Sequence, residues 1–232
     1  MTTKVSPEPA EVAGYPSAGC GPAGRVTRSL LGYGIVAGPF YVLVSLAQAV
    51  LRDGFDLTRH DWSLLANGRG GWIQSVNLVL TGLMVIAAAV GCSRSLRTGP
   101  GRRLVPWLLA GYGSGLVGAG IFRTDPMAGF PAGTPAGPPV VVTGHGLLHL
   151  VCGGVGFLAL ILATLALARR LGREGRRGRA AFSALTGVAF LAGFVGITSG
   201  SSSPPVVLGF TAAVLLAWAW LSSTSLDLYR RA

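Results

Sequence analysis

The sequence has little charge of either sign and very little acid. Only 12% of its 232 residues are charged and eight are acidic, whereas roughly 25% of the residues in an ordinary soluble domain are charged. Half of the residues are hydrophobic. This composition argues against a water-soluble globule and indicates a protein that is largely surrounded by lipid.

Cysteine and histidine are also scarce, with three residues of each. No two of the cysteines, Cys20, Cys92 and Cys152, are placed for an obvious disulfide. Two transmembrane haems would need four histidines paired across helices, and a single haem would need an axial partner for His149. The chain also lacks a Walker loop, a dinucleotide-binding glycine fingerprint and a nucleophile elbow. The common nucleotide-binding and serine-hydrolase classes are therefore set aside.

Long apolar runs take the place of these motifs. A run of about 18 or more apolar residues is long enough to cross the ~30 Å hydrocarbon core as a helix, and a helix satisfies its own backbone hydrogen bonds there. Six runs reach or approach this length, at residues 30–51, 72–92, 104–122, 143–168, 180–198 and 205–221. We therefore predict an all-α fold, an integral membrane bundle of six transmembrane helices.

The basic residues alternate between the two sides of this bundle. One set of loops and tails carries 15 of the 19 Lys and Arg residues, and the other set carries the remaining four. Because cytoplasmic loops are enriched in Lys and Arg, the basic set predicts the cytoplasmic side, with both termini inside. The net charge of +11 then reflects membrane orientation, and we expect no nucleic acid partner.

Two tails are expected to flank the membrane domain. Residues 1–28 are rich in Pro, Gly, Ala and Ser, which predicts a disordered cytoplasmic tail. The six-helix domain is assigned to residues 29–222, and residues 223–232 form a short cytoplasmic tail. Besides the lipid bilayer itself, we expect anionic lipid headgroups to contact the basic loop between Arg169 and Arg179.

Two histidines begin the fourth apolar run. His145 and His149 are four residues apart, so on a helix they lie about 40° apart on one face, and Cys152 shares that face. His at this spacing is a familiar zinc geometry, and Asp125, at the end of the third run, lies on the same side of the membrane. We therefore predict His145, His149 and Asp125 as ligands of a transition metal such as zinc. Each residue also has an alternative role. His145 could simply lie at the membrane interface, His149 and Cys152 could be structural, and Asp125 could form an ion pair with Arg123.

The loop after the first run supplies further candidates on the same side. His60 and Asp61 lie there, and either could act as a general base or as a fourth metal ligand. Asp125 is a candidate for the same catalytic role. These three residues are the predicted catalytic set.

Polar residues within the helices are concentrated in the halves nearest this side. They are Gln48 in the first helix and Gln74 and Asn77 in the second, the last two on one helical face. Together with Arg123 they predict a polar pocket that opens to the outside. Hydrogen-bonded helix packing uses the same residue types and is the alternative explanation.

Several segments resemble those of a known family. They are Gly38-Pro39-Phe40-Tyr41, the stretch from Leu64 to Gln74, the Phe122-x-x-Asp125-Pro126 turn and Thr143-Gly-His145. Their combination resembles the bacterial membrane family catalogued as domain of unknown function 998, over about residues 30–222. The resemblance implies a multi-pass protein of the bacterial inner membrane, and it implies no activity.

Three classes of function remain open at this point. An enzyme would carry out metal-assisted hydrolysis of a lipid-like substrate at the outer leaflet, loosely similar to the seven-helix zinc hydrolases of lipid amides. This chain departs from those in having six helices and no Ser-x3-His motif. A transporter or small-ligand binder would use the same residues to relay protons or hold an ion. A non-catalytic subunit of a membrane complex would need them only for stability, and the oligomeric state is open.

The predicted orientation can be tested by labelling. In a cysteine-free background, Ser202→Cys should react with a membrane-impermeant maleimide added to intact cells, and Gly175→Cys should not, because the charge pattern places residue 202 outside and residue 175 inside. Labelling of residue 175 alone would reverse the assignment.

Overall fold

The computed structural model describes residues 21–200 and 202–232. Its helices are α1 (Pro22–Leu51), α2 (Gly71–Ser95), α3 (Leu104–Ile121), α4 (Gly144–Arg173), α5 (Arg177–Thr198) and α6 (Pro204–Arg231). A short 3₁₀ helix, Trp62–Ala66, lies between α1 and α2, and no strand occurs in the two described ranges. All six α-helices are long and apolar enough to cross a membrane. The predicted all-α, six-helix membrane bundle is confirmed, whereas the orientation of its termini stays a prediction.

The first and last helices extend further than the apolar runs indicate. Helix α1 begins at Pro22, a residue whose missing N–H costs nothing in the first turn, so residues 22–28 are helical rather than part of a tail. Helix α6 continues to Arg231 and includes most of the predicted C-terminal tail. The two extensions lie side by side, with the Arg28 guanidinium 6.0 Å from the centroid of the Tyr229 ring. The first 20 residues of the predicted tail lie outside the described residues.

The six helices form a closed ring. Each helix packs against its neighbours in the chain, and α6 packs back against α1. The ring is filled by aromatic side chains, and the Trp218 ring centroid lies 5.1 Å from that of Tyr41 and 5.8 Å from that of Tyr112. Beside them, the rings of Phe157 and Phe190 meet edge to face at 5.1 Å. These buried rings fill the interior between the two ends of the bundle.

The outside of the ring is apolar. Leu43, Val155 and Leu185, in three different helices, are 68%, 59% and 60% exposed, and hydrocarbon would solvate such a surface. Trp72 begins α2 and Trp107 lies near the start of α3, so they mark opposite ends of the bundle, and both are exposed. Tryptophan is enriched at both membrane interfaces. The surface therefore indicates a lipid bilayer environment.

Close crossings on both sides of α3 depend on glycine. A Cβ added to Gly115 would lie 2.6 Å from the Cα of Gly156 in α4, and a Cβ added to Gly113 would lie 2.7 Å from the carbonyl oxygen of Gly82 in α2. Small residues let membrane helices approach closely enough for backbone contact. Helix α3 is therefore the element most tightly held by its two neighbours.

Substitution of Gly115 should test this crossing. Gly115→Ala should destabilise the bundle by about 1–3 kcal/mol, because the new methyl group overlaps the α4 backbone. The matched control is Gly153→Ala in α4, where an added Cβ meets no atom within 4 Å. Unfolding in detergent, followed by circular dichroism, measures both, and equal stability of the two variants would contradict the close α3–α4 contact.

Candidate functional site

The bundle has an outer end and an inner end. The outer end comprises the loops at residues 52–70, 122–143 and 199–203, and it is the end that the charge pattern predicts to lie outside. The inner end comprises the loops at residues 96–103 and 174–176, the start of α1 and the end of α6. All of the predicted site residues belong to the outer end or to the helix halves nearest it.

His60 joins two loops of the outer end. Its side chain is buried, its Nδ1 accepts the backbone N–H of Asp56 at 2.9 Å, and its Nε2 lies 2.9 Å from the carbonyl oxygen of Ala128. Because Nδ1 accepts, Nε2 must carry the proton and donate it to that carbonyl. The ring also packs beside Phe55 and Phe130. Both imidazole nitrogens are therefore engaged in holding the loops together.

Asp61 begins the 3₁₀ helix. Its Oδ1 accepts the Ser63 hydroxyl at 2.6 Å and the Leu64 backbone N–H at 3.2 Å, which is the usual work of an N-terminal cap. Nearby, the Thr58 side chain and backbone N–H both donate to Asp56 Oδ1 and hold the pKa of Asp56 below its usual range. These carboxylates therefore shape the loop.

Arg52 fastens the same loop from the end of α1. Its guanidinium donates to the carbonyl oxygens of Leu65 and Asn67 and lies 5.0 Å from the centroid of the Phe130 ring. Burial lowers the pKa of Arg52, although an arginine remains protonated in proteins. The first and third loops therefore close over the outer end as one hydrogen-bonded layer.

Asp125 connects the end of α3 to the start of α4. Its Oδ1 accepts the Thr143 hydroxyl at 2.6 Å and its Oδ2 accepts the Thr143 backbone N–H at 3.0 Å. The Thr143 hydroxyl in turn accepts the Gly146 N–H at 3.0 Å and caps α4. The carboxylate is buried directly over Gly146, where a Cβ would overlap it. A negative charge at a helix N-terminus is also favoured by the helix dipole.

The two histidines of α4 differ in their surroundings. His149 is buried, and its Nδ1 lies 2.9 Å from the carbonyl oxygens of Ala119 and Phe122. Since carbonyls only accept, Nδ1 carries the proton and satisfies the otherwise unpaired C-terminal end of α3. His145 is exposed, and its ring meets that of Phe122 at 5.8 Å. The spacing of four residues therefore does not bring the imidazoles of His145 and His149 together around one metal ion.

The predicted metal set is not assembled. Within the described residues, no group of three or more His, Cys, Asp or Glu side chains is placed to hold a metal ion. Both Asp125 oxygens accept hydrogen bonds from Thr143, His149 is held at the end of α3 through its Nδ1, and His145 lies exposed on the rim, so the three side chains do not converge on one point. In the same part of the chain, Arg123 is exposed and forms no ion pair with Asp125.

The three amides predicted to line an outward pocket do come together. Gln48 Nε2 donates to Gln74 Oε1 at 2.8 Å, and Asn77 Nδ2 lies 3.2 Å from that oxygen, from Ser45 Oγ and from the carbonyl oxygen of Tyr41. All of these side chains are buried. They form a hydrogen-bonded seam between α1 and α2 rather than the wall of an open pocket, which is the packing alternative.

A cavity of about 680 Å³ opens at the inner end, among α1, α2, α4, α5 and α6. Its apolar lining includes Cys92, Leu167 and Phe182, and the rest of its lining is strongly basic. The charged residues that line it are Arg94, Arg97, Arg170, Arg176, Arg179 and Arg231, with Glu174 and Asp227 as the acidic members. Six guanidinium groups therefore face two carboxylates.

Asp227 organises three of these arginines. Its Oδ2 lies 2.7 Å from Arg176 Nη2, and its Oδ1 lies 2.6 Å from Arg179 Nη1 and 3.1 Å from Arg231 Nη2. One carboxylate thus positions guanidinium groups from the α4–α5 loop, α5 and α6. Arg176 Nη1 also lies 3.9 Å from Glu174 Oε2, a carboxylate that pairs more closely with Arg170. Each guanidinium has five N–H donors, so most of the donors of Arg176, Arg179 and Arg231, and part of their positive charge, remain for another partner.

The sequence did not predict this cavity, because the basic loop between Arg169 and Arg179 was expected only to contact lipid headgroups and the end of α6 was expected to be a tail. One signal was available. Glu174 and Asp227 are the only acidic residues after Asp125, and both occur among arginines. A lone carboxylate in a strongly basic segment indicates a specific ion-pair partner, although it does not indicate which arginines gather around it.

A structural role for Asp125 makes a measurable prediction. Asp125→Ala should lower the free energy of unfolding by about 1–3 kcal/mol, because it leaves the Thr143 hydroxyl and backbone N–H without their acceptor and removes the negative charge at the start of α4. Asp53→Ala is the control, since Asp53 is exposed and its carboxylate has no partner among the described residues. Unfolding in detergent measures both. A stoichiometric bound metal that is lost in Asp125→Ala would contradict the structural role.

Comparison with known proteins gives a family and no activity. No curated protein and no solved structure matches this chain. A family model described as a protein of unknown function, DUF998, matches residues 35–227, a range that takes in most of α1 and α6 and everything between them. The chain therefore belongs to the DUF998 family, as its sequence motifs predicted.

Proposed function

We propose that this protein binds a phosphate-bearing anion in the arginine-lined cavity at the inner end. The observation that carries the proposal is the cluster of Arg176, Arg179 and Arg231 around the single carboxylate of Asp227. We place the protein in the bacterial inner membrane, with the inner end in the cytoplasm, because most of the basic residues lie at that end. The ligand then comes from the cytoplasm or from the adjoining leaflet.

The chemistry of the cluster favours phosphate over other anions. A guanidinium is a planar fork that donates two parallel hydrogen bonds to a phosphate or carboxylate. Three such groups from different segments surround one space, and Asp227 neutralises only one of their charges. The Arg176 and Asp227 side chains are 22% and 14% exposed, so solvent and salt screen this charge less than they would screen a fully exposed pair.

The start of α1 adds a second favourable feature. Gly21, Ala23 and Gly24 line the cavity, and the N-cap residue Gly21 provides no side-chain cap to α1. Backbone N–H groups without an intrahelical partner at a helix start attract anions. Here Pro22 has no N–H and the N–H groups of Gly24 and Arg25 donate to the Gly21 carbonyl oxygen, so the Ala23 N–H is the donor that α1 contributes. A cavity of about 680 Å³ also lies within the range of about 300–1,000 Å³ that small-molecule ligands occupy.

Of the three classes of function, anion binding corresponds to the small-ligand binder, with its site at the inner end of the bundle instead of the outer end. Metal-assisted hydrolysis at the outer leaflet has no comparable support, because His60, Asp61, Asp125 and His149 all make hydrogen bonds that stabilise loops or helix ends. The expected contact between anionic lipid headgroups and the basic loop is one source of the same phosphate chemistry. A soluble phosphorylated compound is the other source.

Binding of inorganic pyrophosphate to the detergent-purified protein tests the proposal. At constant ionic strength, calorimetry should detect one site, and a ligand concentration 100 times the Kd should stabilise the fold by about 2.7 kcal/mol. Arg179→Gln/Arg231→Gln should weaken binding about tenfold or more, because it removes two charge-assisted contacts. Arg176 remains paired with Asp227 in this variant, which protects the fold.

The matched control is Arg177→Gln/Arg230→Gln. It removes the same charge from the same two helices, at positions that do not line the cavity, and it should leave pyrophosphate binding unchanged. Equal loss in both double variants would indicate a non-specific surface effect and would overturn the proposal, as would an absence of binding. Competition with short-chain phosphatidylglycerol distinguishes a lipid headgroup from a soluble phosphorylated compound. If this lipid displaces pyrophosphate, the ligand is a headgroup; if it does not, the ligand is a soluble compound.

A further inference from the structure

A second concave region lies on the lipid-facing side of α2 and α3, near the inner end. It is a groove of about 390 Å³, and its exposed members include Val90 and Trp107, at 46% and 76%. Ile86, Ala89 and Ala110 line the part of the groove that is farther from the inner end. The groove therefore has an apolar trough that opens sideways, toward the position of lipid chains.

The end of the groove nearest the cytoplasmic loop is basic. Arg97, Arg102 and Arg103 line it, and no acidic residue does. In the described ranges, none of the three forms an ion pair; Arg97 Nε donates to the Arg94 carbonyl oxygen at 3.3 Å, and Arg102 Nη1 donates to the Arg97 carbonyl oxygen at 3.3 Å. Most of their guanidinium donors are therefore free to meet an anion.

The dimensions of the groove match one leaflet. From Ile86 to Leu96, both of which line it, the chain is almost entirely helical and rises about 15 Å, which is half of the ~30 Å hydrocarbon core. Trp107 stands beside the arginines, and an indole ring prefers the headgroup level. Basic side chains, the interfacial Trp107 and the apolar wall thus occur in the order in which a phospholipid presents its phosphate, glycerol and acyl chain.

We propose that this groove holds one anionic phospholipid of the leaflet at the inner end, with its phosphate at Arg102 and Arg103 and an acyl chain along Ile86 and Val90. An anionic lipid would neutralise part of the net charge of the three arginines, whereas a zwitterionic lipid would neutralise none of it. Basic pockets between membrane helices on the cytoplasmic side are known to bind acidic headgroups. This site adjoins the arginine-lined cavity but is formed mainly by other residues. Leu96 and Arg97 line both spaces, whereas Arg102, Arg103 and Trp107 line only the groove.

Quenching of Trp107 fluorescence by brominated lipids tests the proposal. Trp62, Trp218 and Trp220 are at most 6% exposed, so in a Trp72→Phe protein Trp107 is the remaining lipid-facing tryptophan of the described residues. In phosphatidylcholine vesicles containing a minor fraction of brominated lipid, we expect brominated phosphatidylglycerol to quench Trp107 about fivefold more efficiently than brominated phosphatidylcholine. A Trp107→Phe protein reports on Trp72, at the other end of α2, and should show no such preference.

Two sets of variants complete the test. Arg102→Gln/Arg103→Gln should reduce the preference at Trp107 to the level at Trp72, and Arg103→Gln alone serves if the double variant folds poorly. Arg177→Gln/Arg230→Gln removes equal charge from the same end and should keep the preference. Equal quenching by the two lipids, or loss of the preference in the Arg177/Arg230 control, would overturn the proposal. The failure of pyrophosphate binding would leave this result unchanged, because Arg102, Arg103 and Trp107 lie outside that cavity.

Discussion

A polar group at membrane depth must find its partner within the protein, because hydrocarbon offers none. This constraint accounts for most of the hydrogen bonds in the half of the bundle nearest the outer end. Gln48 Nε2 and Asn77 Nδ2 donate to Gln74 Oε1 between α1 and α2, and His149 Nδ1 donates to the free carbonyls at the end of α3. The aromatic interior contributes apolar contact in place of further hydrogen bonds. Among the described residues, four buried polar atoms of this half have no hydrogen-bond partner: Gln48 Oε1, Trp62 Nε1, Asn67 Nδ2 and Ser75 Oγ. The polar pairing here is therefore extensive but not complete.

At the inner end, polar groups do not all need a partner within the protein. Its arginines lie where water and headgroups are available, so the fold can tolerate more positive charge than its carboxylates neutralise. Asp227 supplies enough negative charge to hold three segments in register, and the positive charge that it leaves unneutralised is the part of this end that we propose recognises an anion. The ion pairs that stabilise the inner end are therefore also those that position the proposed site.

The fold was predictable from the sequence, but the site was not. Long apolar runs identify each of the six helices because the thickness of the bilayer sets a length that few other structures require. The amino-acid types at the outer end did not show whether they form a binding site, because His, Asp and Gln serve equally as ligands and as caps or packing groups. Only the geometry shows that an atom such as His149 Nδ1 donates a hydrogen bond to the protein backbone. Closure of the ring, which sets Asp227 of α6 beside Arg179 of α5, depends on contacts between distant segments that local periodicity does not encode.

Closure of the ring also brings Gly21, at the start of α1, and Ala232, after the end of α6, to the wall of one cavity. An affinity tag or fluorescent protein fused directly after Ala232 would consequently stand at the entrance and compete with any anion for the same space. A reporter inserted near Gly54, in the exposed tip of the first loop, would lie at the far end of the bundle. The choice of attachment point thus decides whether the entrance of this cavity stays open in a tagged protein.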